Sequence, residues 1–501
     1  MRGIMIAAPS SGSGKTMLTC GLLALLRKNG VEVEAFKCGP DYIDPLFHRN
    51  VLGIESCNLD SYFQKPEEIR QLAGRCTEEG RLCLVEGVMG YFDGLGGVSA
   101  AGSSCEMAGI LEIPVILVVD GRGASLSLCA LIQGFLNYSP QGYTEGNTRI
   151  AGVILNKTTA GMYGLLKQRI EEELPVRCLG YVPPLPWLKV ESRHLGLVLP
   201  GEIRDLQQQM DRLAEEFEKS LDLKGILALA AAGGAKAGEK CCSVRKSEGE
   251  SCCSAGRSAA ENCLPMGVSR RFSEESRGPE THPSAQTCPP AFRLGVALDE
   301  AFCFYYRENL RALEEQGAVI EYFSPLHDRQ IPDGLDGLLL GGGYPELYAG
   351  ALSANAGMRA SVYRAAQSGM PMLGECGGYL YLLEELEGED GMFYPMAGVF
   401  SGTGKREGRL RHFGYISLSS AGSNPWMQEQ EEIRGHEFHY WHCQADDDEA
   451  VMTAKKPVGG RSWPAMRTCG RVLAGFPHLY YRSLPEFALR FAALCREYRN
   501  R

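Results

Sequence analysis

The strongest constraint on this chain is an interruption. Residues 231–290 hold only five large apolar side chains, Val244, Leu264, Met266, Val268 and Phe272, among serine, glycine, alanine and charged residues. Such a stretch cannot bury enough surface to offset the entropy of ordering it, so any core lies to either side. The length of 501 residues suggests about three domains of roughly 150 residues each. The interruption reduces these to two, residues 1–225 and 292–501, joined by a flexible low-complexity linker at 226–291. In the first arm, short β-branched apolar runs recur at 4–8, 31–37, 82–86, 115–120 and 150–156. In the second they recur at 293–297, 319–323, 337–340 and 371–374. Their length marks buried parallel strands and the gaps between them hold crossover helices, so both arms are α/β.

Lys+Arg of 51 against Asp+Glu of 61 give a net charge of −10, which argues against a nucleic-acid-binding surface. The apolar N-terminus lacks a small-residue cleavage site and no run of 18 apolar residues follows, so neither a signal peptide nor a membrane span is expected. The reading is a cytoplasmic protein whose nineteen cysteines are reduced. Six of these (Cys241, Cys242, Cys252, Cys253, Cys263 and Cys288) fall in the linker without CxxC spacing, as exposed thiols and not a metal site. Glycine is in excess, at 61 residues, and belongs to loops and linker.

The first run leads through Ala8-Pro9-Ser10-Ser11-Gly12-Ser13-Gly14-Lys15-Thr16 into a helix over 17–28. Strand, glycine loop and helix in that order make a phosphate-binding loop. Backbone N–H groups around Gly12 and Gly14 cradle phosphates, Lys15 neutralises their charge and the Thr16 hydroxyl is placed for Mg²⁺. Pro9 stands where such loops usually begin with glycine. At the next strand end, Lys37, Asp41 and Asp44 point toward the ligand crevice of a parallel sheet, as Mg²⁺ and substrate contacts. Glu86 closes a buried apolar strand, where an uncompensated carboxylate is costly, which argues for a cation beside it. Thr16, Asp41 and Glu86 are therefore the candidate Mg²⁺ ligands. Asn156, at the end of the 150–156 run, is a candidate adenine contact and equally an ordinary turn residue.

In the second arm, Gly374-Glu375-Cys376-Gly377-Gly378 reads as strand, sharp turn, helix, with a thiol at the apex of a nucleophile elbow. The glycine loop 341–343 offers bare N–H groups, at Gly342 and Gly343, for an oxyanion hole. A thiolate needs a histidine base, and His436, His439 and His478 are the candidates. His478 follows a strand-like run over 472–476 and emerges at the same sheet edge as Cys376, so it is favoured.

A nucleotide site joined to a cysteine hydrolase suggests ammonia released in one half and used in the other. The motifs SSGSGKT, KCGPDYIDP, VEGVMGYFDG, GGGYPE, GECGGYLYL and GHEFHY, in this order, resemble the cobyrinate a,c-diamide synthase family of class I glutamine amidotransferases, over nearly the whole chain except the linker. The first arm also resembles dethiobiotin synthetase. The resemblance implies a P-loop parallel-sheet synthetase domain followed by a flavodoxin-like amidotransferase domain. It implies Mg-ATP held by Lys15, Thr16, Lys37, Asp41 and Glu86, with Tyr42, Asp44 and Asp93 near the acceptor carboxylate. The implied partners are cobyrinate, L-glutamine and ATP, an oligomer being compatible, and the implied product is an amide at the a and c acetate side chains. The same motifs suit nickel-sirohydrochlorin or hydrogenobyrinate as acceptor, with cobyric acid synthase more distant. A partitioning-type ATPase switch shares the phosphate loop but has no need of Cys376. One departure stands out: the acidic residue usual two positions after the catalytic histidine is Tyr480 here, which favours a Cys–His dyad over a triad.

Overall fold

The computed structural model describes residues 1–143, 148–188, 200–232, 291–420 and 422–501. Met1–Gly234 and Pro289–Arg501 belong to one compact unit. The cysteine doublets of the linker lie outside the described residues. The predicted boundary at 225 falls inside a helix, Leu223–Ala232, which buries Ile226 and Ala230 in the core that also receives the first helix, α1 (Lys15–Lys28). Its alanine-rich sequence reads as a drop in large apolar residues, yet alanine is the best helix former.

The first half is a seven-stranded sheet of β1 (Gly3–Ala7), β2 (Val33–Cys38), β3 (Ser56–Leu59), β4 (Leu82–Glu86), β5 (Val115–Asp120), β6 (Ile150–Asn156) and β7 (Arg177–Val182), all parallel, in the order β3-β2-β4-β1-β5-β6-β7. β1 and β4 are buried along their whole length because helices cover both faces. Their C-terminal ends, with those of β2, β5 and β6, form one edge that carries Glu86, Asp120 and Asn156. Two strands escape a reading by apolar runs. β7 is interrupted by Gly180, and β3 is half polar: its Asn58 Nδ2 donates to the carbonyls of Gly39 (2.9 Å) and Asp41 (2.7 Å), holding the loop after β2.

The second half comprises β8 (Phe292–Ala297), β9 (Phe302–Phe304), β10 (Ala318–Phe323), β11 (Gly337–Leu340), β12 (Gly342–Gly343), β13 (Met372–Glu375), β14 (Leu383–Glu387), β15 (Phe393–Pro395), β16 (Phe400–Arg406), β17 (His412–Ser420), β18 (Glu432–His439), β19 (Trp441–His442), β20 (Ala450–Lys455), β21 (Ser462–Cys469), β22 (Val472–Gly475) and β23 (His478–Leu479). Ten of them form a sheet in the order β10-β8-β11-β13-β22-β21-β20-β17-β18-β23. The first five are parallel, and β10-β8-β11-β13 is the order of a flavodoxin-like doubly wound sheet. From β22 onward the pairing is antiparallel. These strands have one solvated or half-buried face and so lack the continuous apolar runs of the parallel set.

An aromatic cluster joins the halves. Tyr42 and Phe63 of the first pack with Tyr306 and Tyr480 of the second, flanked by Tyr62, Phe304 and Tyr415. Phe63 lies flat on Tyr480, with centroids 5.0 Å apart and planes 7° apart.

Candidate active site

The phosphate loop turns from β1 into α1 through two left-handed glycines, Gly12 (φ 77°) and Gly14 (φ 95°). A β-carbon on Gly14 would lie 2.3 Å from Asn156 Nδ2, so this position requires glycine for its approach as well as its backbone. That contact gives Asn156 a structural role beside the candidate adenine contact. Its Nδ2 donates to the Ser13 carbonyl (2.8 Å) and its Oδ1 accepts from the Lys157 N–H (2.9 Å), so the buried amide braces the loop. Lys15 Nζ donates to the carbonyls of Ser10 (3.2 Å) and Met89. Burial and the neighbouring Lys37 lower its pKa to about 8.

Behind the loop lies a sealed charge cluster. Lys37 Nζ sits 2.7 Å from Glu86 Oε1 and 2.5 Å from Asp44 Oδ2, with all three side chains buried. Burial disfavours the ammonium, but Asp44, Glu86 and Asp41 outweigh it and raise Lys37 well above its usual range. One cation between two carboxylates cannot neutralise both. Burial raises Asp44, but Lys37 outweighs it and holds that carboxyl below its ordinary value, while burial, with Asp44 adding, lifts Glu86 to about 7. Lys37 and Asp44 are therefore paired with each other at the strand end where the sequence placed phosphate and acceptor contacts. They neutralise each other because a lone buried charge is the costlier arrangement.

The expected Mg²⁺ ligands are only partly gathered. The Thr16 hydroxyl donates to Glu86 Oε1 at 2.6 Å, and Glu86 Oε2 is buried without any hydrogen-bond partner. An orphaned carboxylate oxygen beside the loop threonine fits a cation. Asp41 instead uses Oδ1 to accept the N–H groups of Ile43 (2.8 Å) and Asp44 (3.2 Å), capping the helix α2 (Ile43–Asn50). Among the described residues no three His, Cys, Asp or Glu side chains gather as a metal cage. Asp93 stays exposed at the crevice, accepting from the Gly90 N–H at 2.9 Å.

The other half presents Cys376 on a strained turn, φ 48° and ψ −101°, between β13 and the helix Gly377–Leu382. Its N–H donates to the Gly475 carbonyl at the end of β22 (2.8 Å), and three residues on stands His478. Gly342 abuts that imidazole: a β-carbon there would lie 2.3 Å from His478 Cε1. A β-carbon on Gly377 would lie 3.1 Å from the Gly343 amide nitrogen. The glycine loop thus borders both elbow and base, as an oxyanion hole requires. Burial, with Glu346 adding, pushes the Cys376 thiol up, and burial with His436 and His439 pushes His478 down to about 3, so thiol and imidazole are both neutral.

His478 Nδ1 is buried without a hydrogen-bond partner, so no carboxylate orients this imidazole, in keeping with a dyad. Tyr480, in the place of the triad acid, is turned to the other half, where its hydroxyl accepts from Gln64 Nε2 at 2.7 Å. A histidine–carboxylate pair does exist nearby, His439 Nε2 to Glu437 Oε1 at 2.8 Å, with the His439 ring stacked on Phe476 at 3.9 Å. Sequence reasoning missed Glu437 because the two residues alternate on a strand whose register is set only on pairing.

Tyr42 also has a packing role. Its ring packs on Phe304 (5.1 Å), Tyr306 (4.5 Å) and the His478 imidazole (5.2 Å), at the seam between the halves.

A parallel sheet with a phosphate loop, abutting a cysteine elbow with its histidine, defines a nucleotide-binding glutamine amidotransferase. Family models agree: a CobQ/CobB/MinD/ParA nucleotide-binding domain matches residues 4–197 and a CobB/CobQ-like glutamine amidotransferase domain matches residues 293–484. The chain is 34% identical to the cobyrinate a,c-diamide synthase of Clostridium tetani, over 97% of this chain and 98% of that one. It is 35% identical to the enzyme of that name from Salmonella typhimurium and 34% identical to that from Listeria innocua, each over 98% of both chains. The chain belongs to the cobyrinate a,c-diamide synthase family.

Proposed function

We propose that this protein uses ATP and glutamine to amidate the a and c acetate carboxylates of cobyrinate, giving cobyrinate a,c-diamide for cobalamin. The observation that carries the coupling is Tyr42. Its ring rests on His478, while Asp44, two residues on, holds Lys37 and through it Glu86, so the two reaction centres share a wall.

In the amidotransferase half, His478 takes the thiol proton as Cys376 Sγ attacks the glutamine side-chain carbonyl. The N–H groups at Gly342 and Gly343 receive the oxyanion. The proton passes to the departing nitrogen, ammonia leaves, and water hydrolyses the glutamyl thioester to glutamate. In the other half an acceptor carboxylate oxygen attacks the ATP γ-phosphorus, giving an acyl phosphate and ADP. Ammonia attacks the acyl carbon and phosphate departs, once for each of the two carboxylates.

Thr16 and Glu86 would hold Mg²⁺, with Asp41 at the adjoining loop and most remaining ligands from phosphate and water. The ion would supply charge neutralisation at the β- and γ-phosphates. Asp93, exposed at the crevice, faces the acceptor. No helix of the described residues is long and apolar enough to cross a membrane.

The test is Cys376→Ala. It should abolish glutamine-dependent amidation and glutamate release, with ammonium salts restoring amide formation from ATP and cobyrinate. Unchanged glutaminase activity would defeat the reading. Parallel assays with hydrogenobyrinate and nickel-sirohydrochlorin should give lower kcat/KM than cobyrinate.

A further inference from the structure

One imidazole beside the base takes no part in the chemistry described above. His436 on β18 is the register partner of His478 on β23, and Gly435 is that of Leu479. Register partners on antiparallel strands present their side chains on the same face, so the two imidazoles are neighbours. The strands approach closely here. A β-carbon on Gly435 would lie 2.7 Å from the His478 carbonyl oxygen, so glycine before His436 is what lets β18 come this near.

His436 also stands between that base and the synthetase half. On the same face of the β17–β18 hairpin its register partner Tyr415 meets it edge to face, with centroids 6.2 Å apart and planes at 76°. The Tyr415 hydroxyl donates to Asp60 Oδ2 at 2.7 Å and lies 3.6 Å from where a β-carbon on Gly39 would sit. Val88 Cγ2 lies 3.4 Å from the same point. Gly39 belongs to the loop from β2 to Asp41, and Val88 comes two residues after Glu86. His478, His436, Tyr415 and the end of β4 thus follow one another across the seam. Further along, the same face carries Phe413 and Phe438, register partners with centroids 5.6 Å apart, both exposed, and there it opens to solvent.

His436 Nδ1 is buried and has no hydrogen-bond partner. A buried polar atom left unpaired is costly, so its retention points to something that pairs with it in the working enzyme. Burial, with Lys456 adding, lowers the His436 pKa to about 3, so this ring, like that of His478, is uncharged at neutral pH. An uncharged imidazole gives or accepts a hydrogen bond but has no ready proton to release. Ammonia needs both properties of a group that meets it. It is small enough to be held by one ring nitrogen, and it attacks a carbonyl only as the free base, with its lone pair intact.

We propose that His436 receives ammonia from the Cys376–His478 centre and passes it, as the free base, across the seam beside Tyr415 toward the acyl phosphate. Nδ1 shares one hydrogen bond with the ammonia. No bond to nitrogen forms or breaks and no proton changes hands in this step, so the lone pair remains for attack on the acyl carbon. The inference rests on the glutamine-dependent amidation proposed above and assigns its transfer step to a residue.

The test gives the full-length protein ATP, cobyrinate and glutamine carrying heavy nitrogen in its side-chain amide, in a medium of unlabelled ammonium. Wild type should release glutamate and amide in equal amounts and place the label in the amide. His436→Phe keeps a ring and removes the nitrogen. It should raise glutamate released per amide at least about threefold and dilute the label in the product, as ammonia escapes to solvent. Its amidation from ammonium salts alone should stay within about twofold of wild type, which also shows that the variant is folded. His436→Gln restores a hydrogen-bonding group and should fall between wild type and His436→Phe. An unchanged ratio and full label in His436→Phe would overturn the transfer role, and so would His436→Gln leaking as much as His436→Phe. Parallel loss of glutaminase and amidation at an unchanged ratio would also overturn it, because that is the mark of a residue that orients His478. Failure of the wild type to amidate cobyrinate from glutamine would overturn the function itself.

Discussion

Glu375 stands next to the nucleophile and is buried, its Oε1 accepting from the Leu479 N–H and the Tyr481 hydroxyl, both at 3.2 Å. Burial lifts its pKa to about 8. A carboxyl raised on folding favours the folded state below its unfolded pKa near 4.5 and loses that contribution as pH climbs to about 8. Glu375→Gln does not titrate. The melting temperature of the variant relative to wild type should therefore rise between about pH 4.5 and 8 and level off above, read in thermal melts across that range. Glu86, at about 7, raises a different expectation. Glu86→Gln should remove ATP-dependent amidation by at least about a hundredfold while leaving glutamine hydrolysis in place, since Glu86 serves Thr16 and Lys37 and not Cys376. Equal loss of both activities would contradict that division. Cys376, Lys15 and Thr16 were legible in the sequence because each sits on a turn defined by adjacent residues. Asn156, Asp44 and Tyr42 were not, because their partners are distant in sequence.

At the level of elements, the segment 60–64 is the part of the synthetase half that touches the amidotransferase half most specifically. Asp60 receives Tyr415, Phe63 stacks on Tyr480 and Gln64 donates to the Tyr480 hydroxyl. His478 lies two residues from Tyr480 on the same short strand path, so displacement of 60–64 bears on the base. Gln64→Ala removes one buried hydrogen bond, costing about 1 kcal/mol. Its expected signature is loss of coupling: glutamate released per amide formed should rise at least about twofold, measured by quantifying both products. An unchanged ratio would reduce the contact to simple adhesion. Strand β3 and the antiparallel strands from β17 to β21 were not visible as apolar runs, because β3 buries polar side chains and the others expose a face.

Across the whole molecule, the halves divided by the low-complexity stretch meet through a continuous aromatic cluster. Three of the four tryptophans, Trp426, Trp441 and Trp463, lie in the amidotransferase half and Trp187 in the other. In a Trp187→Phe background, unfolding followed by tryptophan emission reports the amidotransferase half alone. Mg-ATP at about a hundredfold over its Kd should stabilise that transition by up to about 2.7 kcal/mol, because a ligand of one half stabilises whatever unfolds with it. An unmoved transition would mean that the halves unfold independently.

The sequence alone determined the α/β class, the phosphate loop and the cysteine elbow, because each depends on strand, glycine and helix signals within a few consecutive residues. Tertiary structure alone decided that Lys37 and Asp44 neutralise each other, that Asn156 braces a loop, that Tyr480 replaces an acid with a contact to the other half, and that Phe413 and Phe438 share a bare face. Buried charges and rings settle by which neighbours can pair with them in three dimensions, and those neighbours lie tens to hundreds of residues away along the chain.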